Sequence, residues 1–358
     1  MRSKTTPPSV TCRFRTRRRT GPCADIEHPQ GVTMQHRTGT LDRQPLIVRA
    51  LADEANGIRS YELAREDDGA LPAYEPGAHL AVHLGNGITR QYSLYDAPGA
   101  HDRYRIAVLK DPASRGGSRF LHDAVAVGER LQVSGPYNHF PMSAEATSSL
   151  LIAGGIGITP ILSMAHRLHR DGQPFELHYC ARHEGDAAFV ALLRDTVAFR
   201  DRVNLWFDGG DPRHGLDVKA LLADAVAGRH VYCCGPGGLM NAVERAAAHW
   251  PDGAVHFERF SAATPASSEN TGFRVVLQRA GVELDVPADQ SILQVLKHAG
   301  FRVDTVCEQG ICGACLTDVV DGVPEHRDHI LTDDEKCAND VIAVCCSRSK
   351  SPRLVLDL

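Results

Sequence analysis

The sequence contains no run of about 20 apolar residues, so no segment of it is suited to cross a membrane. Basic residues are in excess only at residues 1–40, which carry eight basic and two acidic side chains. The whole chain has a net charge of −5. These two absences argue against a membrane-spanning protein and against a nucleic-acid-binding protein. The eighteen histidines form no H-E-x-x-H pattern, and none of them is assigned to a metal.

The cysteines are distributed unevenly. Six of the eleven fall between Cys307 and Cys346, and no apolar segment typical of a secretory signal precedes the rest of the chain. The cystine framework of a secreted protein is usually spread through a short chain. Clustering near one end of a long chain indicates instead a metal centre in a reducing compartment, and we therefore expect a cytoplasmic protein.

A length of 358 residues favours two or three domains. Residues 1–40 contain an arginine run without hydrophobic periodicity and are predicted to be a disordered basic tail, with a targeting peptide as the alternative. Residues 41–145 contain six short β-like runs separated by turn signals and one helix-like segment. This pattern predicts an antiparallel β-barrel.

Residues 146–262 alternate strand-like and helix-like segments, one of which is a helix expected at 187–199. This rhythm is typical of βαβ units and predicts an α/β domain with a parallel sheet. Residues 263–272 lack strong hydrophobes and are predicted to be a flexible linker. Residues 273–358 contain a hairpin, a helix, the cysteine-rich loop and further strands, so we expect a multidomain protein with a third, α+β domain.

The most specific motif is a C-x4-C-x2-C sequence followed, after twenty-nine residues, by a fourth cysteine. This is the spacing of plant-type [2Fe–2S] ligands, whereas structural zinc sites usually pair two short C-x2-C elements. The predicted ligands are Cys307, Cys312, Cys315 and Cys345. Cys345 is preferred to Cys337 and Cys346 because it ends a strand-like run, on which neighbouring side chains point in opposite directions.

Four further sequence features are suited to nucleotides. Arg90 in the sequence RQYS can pair with a phosphate, and the small residues at 116–118 open a helix whose free N–H groups can hold one. The glycine-rich turn 154–160, GGIGITP, joins a strand to a helix and suits a pyrophosphate. The sequence CCGP at 233–236 repeats this arrangement after a later strand.

The C-terminal sequences CEQGICGACLTDVVDG, LTDDEK and CCSRSKSPRLVLDL resemble the phthalate dioxygenase reductase and vanillate O-demethylase reductase family. The resemblance extends over residues 41–358 and includes the R-x-Y-S, GGxGxTP and C-G-P motifs. It implies an FMN-binding barrel at 41–145, an NAD-binding domain at 146–262 and a plant-type β-grasp ferredoxin domain at 273–358. The implied cofactors are FMN, NADH and a [2Fe–2S] cluster.

The resemblance also assigns residues to each cofactor by position. For FMN they are Arg90, Gln91, Tyr92, Ser93, Ala107, Val108, Leu109, Gly116, Gly117, Ser118 and Thr159. For NAD they are Gly154, Gly155, Gly157, Thr159, Arg182, Cys234, Gly235 and Pro236. Those expected beside the flavin and the nicotinamide, where the reaction takes place, are Cys234, Glu258 and Phe260. Arg182 is compatible with NADPH, but Glu184 and Asp186 would repel a 2′-phosphate, and the resemblance favours NADH.

The implied function is electron transfer from NADH through FMN and the cluster to a Rieske-type oxygenase that hydroxylates or O-demethylates aromatic compounds. A reductase for a cytochrome P450 or another monooxygenase remains an alternative. A redox-sensing or electron-storing subunit without turnover is a second alternative, against which the intact glycine and C-G-P motifs argue. The charge of −5 on residues 273–358 would suit docking on a basic surface of the acceptor.

Overall fold

The computed structural model describes residues 43–114, 116–260 and 270–358. The predicted tail at 1–40 and most of the predicted linker at 263–272 lie outside the described residues. Among the helices of the described residues, none is both long and apolar enough to cross a membrane.

The first domain is an antiparallel barrel built from short strands with alternating inward and outward side chains. Its main sheet has the order β5-β4-β8-β1-β2-β7, and a bridge between Leu94 and Ile106 brings its two edges together. A small sheet of β3 and β6 was not predicted. The elements are β1 (Gln44–Ala55), β2 (Ile58–Ala64), β3 (Leu71–Tyr74), β4 (Ala78–His83), β5 (Thr89–Ser93), β6 (Gly99–His101), β7 (Arg103–Leu109), α1 (Gly117–Ala124) and β8 (Arg130–Asn138).

The second domain contains a five-stranded parallel sheet of order β11-β10-β9-β12-β13. Its strands are apolar because the central ones are covered on both faces, as parallel sheets require. The carboxyl ends of β9, β12 and β13 meet at one edge, where their motifs come together. The elements are β9 (Ser148–Gly154), α2 (Ile158–Arg170), β10 (Phe175–Ala181), β11 (Val203–Phe207), α3 (Val218–Leu221), β12 (Arg229–Cys234), α4 (Gly237–Ala246) and β13 (Val255–Glu258).

The helix predicted at 187–199 does not form. Phe189 has φ of 65°, which a right-handed helix does not allow, and only a π-helical turn, Leu192–Thr196, follows it. The physical reason is packing between the first two domains, since the buried Phe189 ring lies 4.5 Å from the ring of Tyr95. Tertiary contact therefore outweighs the local helical preference of this segment.

The C-terminal domain is a mixed sheet of order β15-β14-β20-β16-β18 with α5 packed against it. Ser291 and Gln294 form a capping box that fixes the start of α5. The cysteine loop, residues 299–315, joins α5 to β16. The elements are β14 (Phe273–Leu277), β15 (Val282–Val286), α5 (Ile292–His298), β16 (Leu316–Asp321), β17 (Pro324–Glu325), α6 (Asp333–Ala338), β18 (Val341–Ala343), β19 (Arg348–Ser349) and β20 (Arg353–Leu356).

Candidate functional site

The four cysteines predicted to hold iron come together in the C-terminal domain. Three lie in the cysteine loop, and the antiparallel pairing of β16 with β18 brings Cys345 beside Cys315. All four are buried, with between 3% and 8% of each residue exposed. A compact, shielded set of thiols is the donor chemistry that an iron–sulfur cluster needs.

The thiols are arranged as two pairs. Cys307 makes a hydrogen bond with Cys312, and Cys345 makes one with Cys315. A [2Fe–2S] cluster takes two thiolates on each iron, so two neighbouring pairs fit it. Across the described residues, no three His, Cys, Asp or Glu side chains are gathered as they would be around a single metal ion.

Cys307 accepts several hydrogen bonds within the cysteine loop. The hydrogen bond with Cys312 lowers its pKa, and the backbone N–H groups of Ile311 and Gln309 act in the same direction against burial. The Gln309 N–H donates to Cys307 Sγ over 3.3 Å. Since the thiolate is the form that binds metal, these donors favour the ligating state.

Gly310 marks the point where Cys346 approaches the cysteine loop. Its φ is +70°, and a Cβ at this position would collide with the Sγ of Cys346. Cys346 lies near Ser347 and Asp328 and is hydrogen-bonded to Cys345, which also contacts Cys315. Cys346 is thus close to the predicted ligands, and the choice of Cys345 as the fourth ligand stays a prediction.

A cavity of about 610 Å³ lies where the three domains meet. The barrel, the parallel-sheet domain and the C-terminal domain all contribute to its wall. Its lining includes the predicted residues Arg90, Gln91, Ser93, Glu258, Phe260 and Cys307. The cavity therefore joins the flavin motif to the first cysteine of the cysteine loop, and its size is in the range of small-molecule and cofactor sites.

One side of the cavity has features suited to a phosphate. Helix α1 begins after Gly116, whose φ is +101°, and a Cβ on Gly117 would lie only 2.7 Å from Cγ of Arg90. The absent side chain of Gly117 is thus what lets Arg90 lie across the start of the helix. A guanidinium beside free helix N–H groups is a phosphate-binding arrangement, and it fits the phosphate of FMN.

Not every predicted flavin residue faces this cavity. Tyr92 packs against the barrel core, Ala107 and Val108 are buried in the apolar cores, and Leu109 is exposed. The hydroxyl of Thr159 donates to the carbonyl of Ile156 over 3.0 Å within its own turn. The described contacts of these residues are structural, and their assignment to FMN stays a prediction.

Cys234, Glu258 and Ser93 form a neutral polar group at the junction of barrel and parallel sheet. The β12–β13 register places Cys234 opposite Glu258, and Ser93 hydrogen-bonds the Glu258 carboxyl. Burial raises the pKa of Glu258 to about 8 and that of the Cys234 thiol well above its usual value. Both groups are therefore mainly protonated at pH 7, and Glu258 Oε2 finds no partner among the described residues.

The two glycine motifs interlock with each other. A Cβ on Gly157 would collide with the carbonyl of Cys234, and one on Gly154 would lie 2.6 Å from Pro236 Cδ. By contrast, Gly155 has φ of +52° and open space around its Cα. The sequence motif predicts that these glycines let a pyrophosphate approach the backbone closely. At Gly154 and Gly157, however, protein atoms occupy the space that a Cβ would fill.

The residues considered for NADH specificity lie beyond the end of β10. Arg182 is exposed, and its carbonyl accepts from Gly209 N–H over 2.8 Å. Glu184 pairs with Arg194 at 2.9 Å, and Asp186 accepts from the Asn56 side chain at 3.0 Å. The two carboxylates are thus partly compensated, which weakens the repulsion of a 2′-phosphate that the sequence suggested.

Sequence reasoning missed several residues of the cavity wall. His79 is buried, and the side-chain nitrogen of Gln91 lies 2.9 Å from its Nε2. Burial and the neighbouring His139 lower the pKa of His79 to about 3, so it is neutral. The pairing of β4 with the RQYS strand could have identified it. The segment 329–332 also lines the cavity and includes the first two residues of the LTDDEK sequence.

Comparisons with known proteins agree with this geometry. The family model of the oxidoreductase NAD-binding domain matches residues 151–245. That of the 2Fe-2S iron-sulfur cluster binding domain matches residues 275–350. The sequence is 51% identical over 315 residues to the vanillate O-demethylase oxidoreductase of Pseudomonas sp. (strain HR199 / DSM 7063), covering 87% of this chain and 99% of that protein.

Two solved structures extend the comparison. Phthalate dioxygenase reductase, described as modular for electron transfer from pyridine nucleotides to [2Fe-2S], aligns with a TM-score of 0.70 and 42% identity over 88% of this chain and 98% of its own. An intact type IV self-sufficient cytochrome P450 monooxygenase aligns with a TM-score of 0.77 and 38% identity over 88% of this chain but 41% of its own. The predicted fold class is confirmed. The chain belongs to the family of NADH-dependent flavin iron–sulfur oxidoreductases that includes vanillate O-demethylase oxidoreductase and phthalate dioxygenase reductase.

Proposed function

We propose that this protein is the reductase component of a two-component oxygenase. It would pass electrons from NADH through FMN and the [2Fe–2S] cluster to a Rieske-type oxygenase that hydroxylates or O-demethylates aromatic compounds. When bound, FMN accepts a hydride as two electrons and releases electrons singly, as a [2Fe–2S] cluster requires. The observation that carries the proposal is the single cavity shared by Arg90, Ser93, Glu258 and Cys307.

The proposal assigns a task to each side of that cavity. Arg90 and the start of α1 hold the phosphate, while Ser93, Glu258 and Cys234 present protonated or hydroxyl groups where hydride arrives. Phe260, with 40% of its surface exposed, forms part of the cavity wall. Cys307, Cys312, Cys315 and Cys345 hold the cluster, with Cys307 on the flavin side.

The same proposal sets the domain boundaries and the compartment. The flavin domain spans 41–145, the NAD domain 146–262, the linker 263–272 and the ferredoxin domain 273–358. Strand β8 ends at Asn138 and β9 begins at Ser148, which supports the first boundary. None of the nine cysteines of the described residues is in a disulfide bond, which supports a reducing, cytoplasmic location.

The test uses the purified full-length protein. We expect the flavin released on denaturation to be FMN, NADH to reduce cytochrome c through the protein, and a Rieske demethylase component to turn over when it is added. Release of FAD would contradict the flavin assignment. Loss of cytochrome c reduction in the holoprotein would favour an electron-storing subunit instead.

A second acceptor is favoured by one observation. The self-sufficient P450 carries a region that aligns with 88% of this chain. A cytochrome P450 tested beside the Rieske component distinguishes the two acceptors. Faster reduction of the P450 would replace the Rieske assignment.

A further inference from the structure

We propose that four charged or titratable residues hold the cysteine loop at the flavin cavity and thereby position the cluster for reduction. They line the cavity from two domains and are called the rim cluster: Glu244, Arg259, His329 and Lys336. Glu244 and Arg259 belong to the parallel-sheet domain, and His329 and Lys336 to the C-terminal domain. The inference deepens the proposed function, on which it rests, because it concerns the step from flavin to cluster.

On the parallel-sheet side, the guanidinium of Arg259 is held in place. Its Nη2 lies 3.4 Å from Oε2 of Glu244 on α4, and its Cζ lies 5.7 Å from the ring centroid of Phe257. Only 15% of the Arg259 side chain is exposed. An ion pair and a cation–π contact therefore fix this positive charge just beyond the end of β13.

On the C-terminal side, His329 is attached to the cysteine loop. Its backbone N–H donates to the carbonyl of Gly310 over 2.8 Å, and Gly310 lies between Cys307 and Cys312. Lys336 lies in α6, whose start is fixed by the capping box of Thr332 and Glu335. A displacement of His329 would therefore also displace the loop that carries the first two predicted ligands.

The charges of the rim cluster face one another across the cavity. His329 is influenced by Arg259 and Lys336, which with burial lower its pKa, and by Asp328 and Glu244, which oppose them. Burial is the largest of these effects. Among the four rim residues only Glu244 is acidic, so it is the group that keeps Arg259 from repelling Lys336 and a protonated His329.

This balance makes Glu244 the positioning residue of the contact. Replacing its carboxylate by a cation would place like charges on both sides of the cavity, which is strongly unfavourable across an interface. The C-terminal domain would then spend less time with Cys307 at the flavin cavity. Hydride transfer from NADH to the flavin would be unaffected, because it does not use the contact with the C-terminal domain and Glu244 is not among the residues assigned to FMN or NAD.

The experiment compares two activities of full-length holoprotein carrying Glu244→Arg. NADH–ferricyanide reduction reports the flavin, and NADH–cytochrome c reduction reports the cluster. We expect the cytochrome c rate to fall at least about tenfold while the ferricyanide rate and the FMN content stay unchanged. Adding Lys336→Glu should restore the cytochrome c rate, because the charges across the cavity are again opposite.

A matched control and a milder variant complete the design. Glu283→Arg, which breaks an exposed pair with Arg274 on β14 and β15, should change neither rate. Glu244→Gln should lower the cytochrome c rate by a smaller factor than Glu244→Arg. Wild-type cytochrome c rates in Glu244→Arg, or equal loss of both activities, would overturn the inference. Absence of cytochrome c reduction in the wild-type protein would instead overturn the proposed function.

Discussion

The spacing of the cysteines and the spacing of the glycines in the interlocked turns have different structural meanings. The four cysteines that were chosen from their spacing contact one another through their thiols, as two pairs. In the glycine turns, Gly154 and Gly157 meet Pro236 and the carbonyl of Cys234. The first pattern therefore reports a ligand set, whereas much of the second reports how two strand ends pack.

The difference follows from the chemistry of the residues. Thiols are rarely needed five and then three positions apart for packing alone, so such spacing is specific for metal ligation. A glycine is required wherever backbone or ring atoms approach within the space of a Cβ, whether those atoms belong to a ligand or to the protein. Gly155 has open space around its Cα and is therefore the glycine of this turn that we expect to face a ligand.

The largest effect is expected at the cysteine loop. Cys345→Ser should abolish or severely destabilise the cluster, because it removes one thiol of the Cys315 pair, while reduction of FMN by NADH persists. Visible absorption and iron content measure the cluster, and ferricyanide reduction measures the flavin. Cys346→Ser is the matched control and should retain the iron–sulfur spectrum, as should Cys337→Ser at an exposed position. The opposite result for Cys345 and Cys346 would move the ligand by one residue.

The next effect separates the glycines of one turn. Gly157→Ala would force a Cβ against backbone atoms that cannot move away, and we expect a loss of about 3 kcal/mol or more in the free energy of unfolding. Gly155→Ala meets no neighbour and should cost only about 1–2 kcal/mol for its positive φ. Thermal unfolding compares the two variants. Equal destabilisation would remove the distinction drawn between packing and ligand glycines.

The sequence predicted the elements whose signals are local and missed those that depend on contacts between domains. Short β-like runs between turn signals were sufficient for the six main barrel strands, and the alternation of strand-like and helix-like segments for the parallel sheet. The helix at 187–199 failed because Phe189 turns out of the helical conformation to pack on Tyr95. His329 was missed for the same reason, since Arg259 and Glu244 belong to another domain. His79, by contrast, could have been found from the pairing of β4 with the RQYS strand.

The next prediction concerns FMN affinity, which depends on Arg90 and, through the space left for Arg90, on Gly117. Arg90→Ala should weaken FMN binding by about 10–100-fold, the range expected for losing hydrogen bonds to a charged group. Gly117→Ala should weaken it less, because its Cβ displaces only the flexible side chain of Arg90. Flavin fluorescence titration of the apoprotein measures both. An unchanged affinity in Arg90→Ala would place the phosphate elsewhere.

The smallest effect is a change in thermal stability with pH at Glu258, which lies at the junction of the barrel and the parallel sheet. Its folded-state pKa is raised from 4.5 to about 8 by burial, so the folded protein favours the neutral carboxyl. Its favourable contribution is complete below pH 4.5 and is lost progressively as the pH rises towards about 8, because the unfolded chain ionises first.

Glu258→Gln stays neutral at every pH. The melting temperature of the variant minus that of the wild type should therefore increase by a few degrees from pH 5 to pH 9. Ser93→Ala, which removes the hydrogen bond that favours the carboxylate, should make the wild-type decline steeper. A difference that is constant with pH would show that Glu258 is already ionised in the folded protein.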